Sequence, residues 1–257
     1  MGLTTSTHST PDVYFPPIAW VHANGVSVAT MPNAGDVAVA ITCRVGSMHE
    51  REGAELQERG VAHLLEHALF RGSQSYPDGI AHDMNQVAAT FNAYTSKDHT
   101  CYYANAQMLT TQSPPEKLLQ VMLPAIADVV LRPTFPDKAV HAELGIVRNE
   151  IVRREEDGST RCVEGSVSAL FTKHPSHAFA RSVPGTTGDI DAIHDAGSAA
   201  RSFYARHYHG RNLHCVVAGP VTITQVLRLL GKDVGAFGVS SGIPRPVHAV
   251  ARLKPEP

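Results

Sequence analysis

Apolar residues along this chain follow two periods, one typical of strands and one typical of helices. Segments 25–33 and 36–47 are apolar or alternating, rich in β-branched residues and bounded by turn residues. This pattern predicts two strands that could pair as neighbours across the turn "PNAGD". Three more short strands are predicted at 89–96, 100–108 and 212–221.

Between the strands, apolar residues recur at helical spacing. A helix is predicted over 60–71, with Gly72 just past its end, and a second over 77–89, opened by Pro77 and Asp78. Further helices are predicted at 115–131, 136–157, 159–173, 195–208 and 222–231. Helices grouped between strands predict the α+β fold class, with a mixed sheet covered by helices on one face.

Composition describes an ordinary globular chain. Of 257 residues, 43% are hydrophobic and 18% charged, and the formal charge is −2. With no run of Lys or Arg longer than two and no long apolar stretch, we expect neither a nucleic-acid nor a membrane partner. The N-terminus lacks secretory or mitochondrial features, and the four cysteines are widely spaced. Both features favour a reducing, cytoplasmic location.

The predicted helix over 60–71 contains the sequence "HLLEH", with His63, Glu66 and His67. At about 100° per residue, His67 lies about 40° from His63, and Glu66 lies about 60° to the other side. All three side chains therefore project from one face. Two histidines at i and i+4 can bind one tetrahedral zinc ion, and the glutamate between them can hold a water beside it. The alternative is an amphipathic helix with core or surface histidines, and the motif alone does not separate the two interpretations.

Longer stretches around the motif resemble the M16 family of metallopeptidases, which includes pitrilysin, insulin-degrading enzyme and the mitochondrial processing peptidase. The resemblance rests on "GVAHLLEHALFRGSQSYP" followed by "FNAYTSKDHTCYY", and continues through "VVLRPTFPDKAVHAELGIVRNEIVRREED" and "RSVPGTTGDID" to "FYARHYHGRNLHCVVAGPV". It implies a two-layer α/β sandwich with a mostly antiparallel sheet over residues 22–235. Residues 1–21 are then a flexible lead-in, and 236–257 a Pro- and Gly-rich tail or linker.

The resemblance also implies a zinc site and the roles of its residues. His63, His67 and Glu150 are the expected Zn²⁺ ligands, and Glu66 is the general base. Glu143, seven residues before Glu150, is expected to orient a ligand histidine. The chain is a few residues longer than most members between His67 and Glu150; if that surplus does not fall in "TTQSPPEK", Glu143 becomes the ligand instead.

The resemblance assigns peptide binding to the edge strand around 91–95, with Asn92, Ala93 and Tyr94 as the candidate contacts. Family enzymes stabilise the oxyanion with an Arg and a Tyr from a second domain of similar fold. Arg201 and Tyr208 have the same spacing here but match a different part of the domain, so that role is not carried over.

The expected function is therefore a zinc metalloendopeptidase domain that cuts short or unfolded peptides. The missing Arg and Tyr imply a second M16-like domain or subunit, or self-association. The alternatives are a zinc-containing peptide-binding module and a scaffold subunit without proteolytic activity of its own.

Overall fold

Six strands form one mixed sheet in the computed structural model, which describes residues 19–23, 26–32, 35–53, 56–107, 113–172 and 177–231. They are β1 (Ala19–Ala23), β2 (Val26–Pro32), β3 (Val37–Cys43), β6 (Thr90–Thr95), β7 (Thr100–Ala106) and β8 (Leu213–Gly219). Their order across the sheet is β1-β2-β8-β3-β7-β6. A separate two-stranded ladder joins β4 (Glu52–Gly53) and β5 (Leu56–Gln57).

The strand that comes last in the chain lies inside this sheet. β8 pairs parallel with β2 and antiparallel with β3, so the prediction that β2 and β3 could be neighbours is wrong. The remaining pairs are antiparallel, which leaves β2–β8 as the single parallel pair of the described sheet. Only the tertiary fold can bring β8 between two strands that end 170 or more positions before it begins.

Helices cover one face of the sheet. They are α1 (Val61–Leu69), α2 (Ala81–Gln86), α3 (Pro115–Leu131), α4 (Asp137–Glu156), α5 (Gly158–Leu170), α6 (Thr187–Asp191), α7 (Ala196–His207) and α8 (Ile223–Leu230). On β3, Val37, Val39, Ile41 and Cys43 are buried, whereas the residues between them are half-buried. This alternation is typical of a sheet that carries helices on one side, and the predicted two-layer α+β sandwich is confirmed.

Within the helical layer, α1 carries His63, Glu66 and His67. It packs against α4, α7 and β6, and all but one of its nine residues are buried. Gly60 precedes it with a φ of +84°, and a Cβ at this position would lie 2.6 Å from Ile190 Cδ1 and 2.8 Å from the Pro184 carbonyl oxygen. Glycine therefore permits both the left-handed turn into α1 and the close approach of the backbone at Pro184.

Several element boundaries differ from those predicted. α2 begins at Ala81 rather than Pro77, because Gly79 takes a φ of +86° and interrupts the helical path. β1 begins at Ala19, inside the segment predicted as a lead-in, while residues 1–18 and the predicted tail lie outside the described residues. The short α6 and the β4–β5 ladder lie outside the predicted strands and helices. None of the described helices is long and apolar enough to cross a membrane.

Candidate metal centre

Two helices bring three metal-binding side chains together. His63 and His67 lie one turn apart on α1, and Glu150 approaches from α4, which packs against α1. Each histidine Nε2 atom lies 3.6 Å from Glu150 Oε2. One ligand atom from each of the three residues lies within 4.8 Å of the others. The sequence motif and a residue more than 80 positions away thus meet at one point.

The donor set fits zinc. Zn²⁺ takes imidazole nitrogens and carboxylate oxygens at about 2.0–2.2 Å in tetrahedral geometry, which places neighbouring ligand atoms about 3.3 Å apart. The separation of 3.6 Å between each Nε2 atom and Glu150 Oε2 is close to that value. Small adjustments of these side chains would therefore suffice to hold the ion, with a fourth position left for water or substrate.

The two candidate glutamates of α4 approach His67 at different atoms. Glu150 Oε2 faces Nε2 of His67, whereas Glu143 Oε2 lies 3.0 Å from Nδ1 of the same ring. The Glu143 side chain is 2% exposed, and its other oxygen lies 2.6 Å from Arg71 Nε. Glu143 therefore lies behind His67, on the opposite side of the ring from Glu150.

The histidines differ in their electrostatic surroundings. Burial lowers the pKa of His63 to about 4, opposed by the Glu150 charge, and its Nδ1 has no hydrogen-bond partner among the described residues. Burial acts in the same direction on His67, but hydrogen bonds with Glu150 and Glu143 outweigh it and raise the pKa. The hydrogen bond with His67 lowers the pKa of Glu150. Burial thus favours the neutral form of His63, whereas the carboxylates of Glu150 and Glu143 favour the protonated form of His67.

Glu66 lies on the same face of α1 and is 8% exposed. Its Oε2 atom accepts a hydrogen bond of 2.6 Å from the Thr95 hydroxyl at the end of β6. Burial raises the pKa of Glu66, and the Thr95 hydrogen bond opposes that rise. A carboxyl group with a raised pKa beside a metal site is suited to take up and release a proton.

A cleft of about 390 Å³ opens over these residues. Strand β6 forms one wall, and it lies at the edge of the described sheet. Lining this cleft are Asn92, Ala93 and Tyr94. Tyr94 is 48% exposed. The structure therefore brings all the predicted substrate contacts to the same cleft as the metal-binding cluster.

Three further residues of the site were not assigned from the sequence. Thr95 contacts Glu66, Arg71 contacts Glu143, and Arg154 lines the cleft. Each of the two arginines follows a site residue by four positions, His67 and Glu150 respectively, a spacing that can bring side chains together. This spacing alone does not distinguish them from solvated surface charges.

Arg201 and Tyr208, which share a family spacing, do not line the cleft. Arg201 donates to Asp137 at 2.7 Å, and the buried Tyr208 hydroxyl lies 2.9 Å from that of Tyr102. Both side chains are therefore engaged elsewhere in the domain.

Fold and site together define the class: a two-layer α/β domain with a two-histidine, one-glutamate metal site and a further carboxylate beside it. The model of the family described as Insulinase (Peptidase family M16) matches residues 26–178, more than half of the chain. The chain belongs to the M16 peptidase family.

Curated relatives agree with this assignment. An uncharacterised zinc protease of Mycobacterium leprae is 30% identical over 215 residues, which are 82% of this chain and 44% of the relative. Core protein I of the mitochondrial ubiquinol-cytochrome-c reductase complex of Euglena gracilis is 30% identical over 87% of this chain and 42% of its own length. The chain thus spans less than half the length of these relatives.

Solved structures show the same fold. The periplasmic protease PqqL from Escherichia coli superposes with a TM-score of 0.75 at 22% identity, over 93% of this chain and 26% of that one. Pitrilysin gives a TM-score of 0.72 at 18% identity, over 91% of this chain and 24% of its own.

Proposed function

We propose that this chain is the metal-binding part of a zinc metalloendopeptidase that hydrolyses peptide bonds in short or unfolded peptides. One observation carries the proposal: His63 Nε2, His67 Nε2 and Glu150 Oε2 converge in a cleft where Glu66 supplies a separate buried carboxyl group. Two histidines and one glutamate form the ligand set of a known class of catalytic zinc site in peptidases.

In this proposal His63, His67 and Glu150 hold the ion. When bound, zinc supplies Lewis-acid chemistry, which polarises a peptide carbonyl and makes a neighbouring water more acidic. Glu66 accepts the proton of the attacking water and returns it to the leaving amine. The Thr95 hydroxyl, 2.6 Å from Glu66 Oε2, fixes one oxygen of this carboxylate.

Strand β6 is the proposed peptide-binding element. It lies at the edge of the described sheet, so an extended peptide can add to it by main-chain hydrogen bonds. Such a peptide would pass in front of Glu66 and the metal ligands, because all of them line the same cleft. Asn92, Ala93 and Tyr94 then contact the substrate.

A second M16-like domain or subunit, or a second copy of this chain, is part of the proposal. The curated relatives are more than twice as long as the segment matched here. Arg201 and Tyr208 are engaged elsewhere in the domain, so in this proposal the second domain or subunit supplies the cation and the hydroxyl that stabilise an oxyanion. A cytoplasmic location is also proposed, and its support is the N-terminal sequence and the spacing of the cysteines.

The test is cleavage of a pool of quenched fluorescent peptides by the purified, zinc-loaded chain. Glu66→Gln keeps the shape of the side chain and removes the base, so we expect zinc content to stay the same and turnover to fall by about 10²- to 10⁴-fold. Glu155→Gln, on the exposed end of α4, is the matched control and should cleave normally. A chelator should abolish cleavage by all variants.

The alternative is a peptide-binding or scaffold subunit without proteolytic activity of its own. The 30% identity to a core protein of a respiratory complex supports it. Peptide binding and one bound zinc without cleavage, alone or after a second M16-type subunit is added, would favour this alternative. A chain that binds no zinc would contradict the peptidase function.

A further inference from the structure

A buried carboxylate behind the metal-binding cluster joins two side chains of one helical segment. Glu143 Oε2 lies 3.0 Å from His67 Nδ1, and Glu143 Oε1 lies 2.6 Å from Arg71 Nε. His67 and Arg71 are four residues apart, and the Arg71 amide continues the turn by donating to the Ala68 carbonyl at 3.1 Å. One carboxylate from α4 therefore lies between the His67 ring of α1 and the Arg71 guanidinium, which forms an ion pair with it two residues past the end of α1.

We infer that Arg71 is a positioning residue for the metal ligand His67 and acts through Glu143. The inference rests on the proposed zinc site and extends it to a residue outside the ligand set. Arg71 fixes the plane of the Glu143 carboxylate, and that carboxylate in turn accepts the Nδ1–H of His67. The ring then presents the lone pair of Nε2 to the metal.

Arginine suits this position for two reasons. Its guanidinium is always charged and donates in a fixed planar geometry, so it holds one carboxylate oxygen in place. The Arg71 side chain is 46% exposed, whereas that of Glu143 is 2% exposed. The arginine can therefore compensate a buried carboxylate while most of its own charge remains hydrated, which makes a buried charge of this kind tolerable.

The contrast with His63 shows what Arg71 and Glu143 provide. His63 is 8% exposed, and its Nδ1 atom has no hydrogen-bond partner in the described part of the chain. His63 depends on the side chains packed around it for its orientation. His67 is more exposed and is oriented instead by a hydrogen bond, so a change at Arg71 should act on one ligand of the pair.

The experiment measures zinc affinity by competition with a chromophoric chelator, and it needs neither substrate nor a partner subunit. Arg71→Met keeps the aliphatic stem and removes the guanidinium. We expect it to weaken zinc binding roughly tenfold, the lower end of what loss of a group behind a metal ligand causes. Arg71→Lys keeps the charge without the planar fork and should recover part of the lost affinity.

Glu143→Gln and the double variant Arg71→Met/Glu143→Gln test whether Arg71 acts through Glu143. We expect the double variant to bind zinc about as well as Glu143→Gln alone, because removal of the carboxylate removes the route by which Arg71 acts. Visible spectra of the cobalt-loaded proteins provide a second readout, since a reoriented His67 ring changes the ligand geometry of the metal.

Arg148→Met is the matched control. Arg148 lies on α4, is 47% exposed and pairs with Asp191 at 3.1 Å, so it has the exposure of Arg71 without a contact to a metal ligand. It should leave zinc affinity unchanged whatever it does to the melting temperature. Wild-type affinity in Arg71→Met, or a further tenfold loss in the double variant, would overturn the inference alone. A wild-type chain that binds no zinc would overturn the zinc site as well.

Discussion

The cleft has two walls that are built in opposite ways. The helical wall contains buried carboxylates at the metal-binding cluster: Glu66 is 8% exposed and the Glu143 side chain 2% exposed. On the strand wall, β6 exposes Asn92 and Tyr94, and its outer edge has no neighbouring strand among the described residues. The difference shows that side chains of this domain hold the metal-binding cluster in place, whereas the strand wall is open at its edge within the described structure.

Buried carboxylates at both ends of α1 support the helical wall. Glu143 holds His67 near the C-terminal end, and Glu50 Oε1 accepts a hydrogen bond of 2.9 Å from the Ala62 amide at the N-terminal end. The first amides of a helix lack partners within the helix, so a carboxyl group there satisfies a donor. On the strand wall, only the end of β6 contacts a buried carboxylate in the described structure, through Thr95 and Glu66, while Asn92 and Tyr94 are exposed. The two walls should therefore respond differently to pH and to substitution.

The largest expected effect concerns Glu50 and the stability of the helical wall. Burial raises the pKa of Glu50 from 4.5 to about 8, opposed by hydrogen bonds from the Ala62 and Gly60 amides. Because the folded-state value is the higher one, its stabilisation is fully present below pH 4.5 and is lost as pH rises through about 8. This pKa difference corresponds to a change in the free energy of unfolding on the order of 5 kcal/mol.

Urea unfolding of the metal-free protein at pH 5, 6.5 and 8.5 measures this effect. Glu50→Gln keeps a neutral acceptor for Ala62, so it should unfold like the wild type at pH 5 and be clearly more stable at pH 8.5. Glu155→Gln again serves as the exposed control and should follow the wild type throughout. A difference between Glu50→Gln and wild type that does not change with pH would contradict the role of burial at this position.

The next effect separates the two glutamates of α4. Glu150→Gln removes the carboxylate that faces both Nε2 atoms, and we expect zinc affinity to fall by more than about 100-fold. Glu143→Gln removes a group that touches only the far side of His67, and a loss of about 10- to 100-fold is expected. Zinc titration of the two variants side by side shows which glutamate binds the metal. A larger loss of zinc affinity in Glu143→Gln than in Glu150→Gln would make Glu143 the ligand.

The smallest effect concerns the strand wall. Tyr94→Ala should weaken peptide binding to the zinc-loaded Glu66→Gln protein by about five- to tenfold, because an exposed aromatic ring that a peptide covers contributes about 1 kcal/mol. Fluorescence anisotropy with a labelled peptide measures it. Thr90→Val, at the other end of β6, should bind like its parent. Equal binding by the Tyr94 variant would mean that the peptide does not pass along this part of the strand.

Much of this organisation follows from local sequence patterns. The spacing of His63, Glu66 and His67 places them on one helical face because the period of an α-helix is fixed. The bounds of α3, α4 and α7 agree with those predicted to within one residue. Apolar residues recur at helical spacing along these segments, so the sequence leaves little choice of where each helix begins and ends.

Other features depend on contacts between distant segments. The position of β8 between β2 and β3 is set by such contacts rather than by local preference. The same holds for the arginines. Arg71 and Arg154 look like ordinary solvated charges in the sequence, and only the crossing of α1 and α4 brings one to a buried carboxylate and the other to the cleft.

The sequence by itself determined that two histidines and a glutamate share one helical face, because that needs only the geometry of a single helix. Which atom of His67 each glutamate meets depends on the relative placement of α1 and α4, and only the tertiary structure decided it. Glu143 and Glu150 differ by two helical turns on the same side of α4, so nothing local distinguishes them. Their distances to Nδ1 and Nε2 of one imidazole ring do.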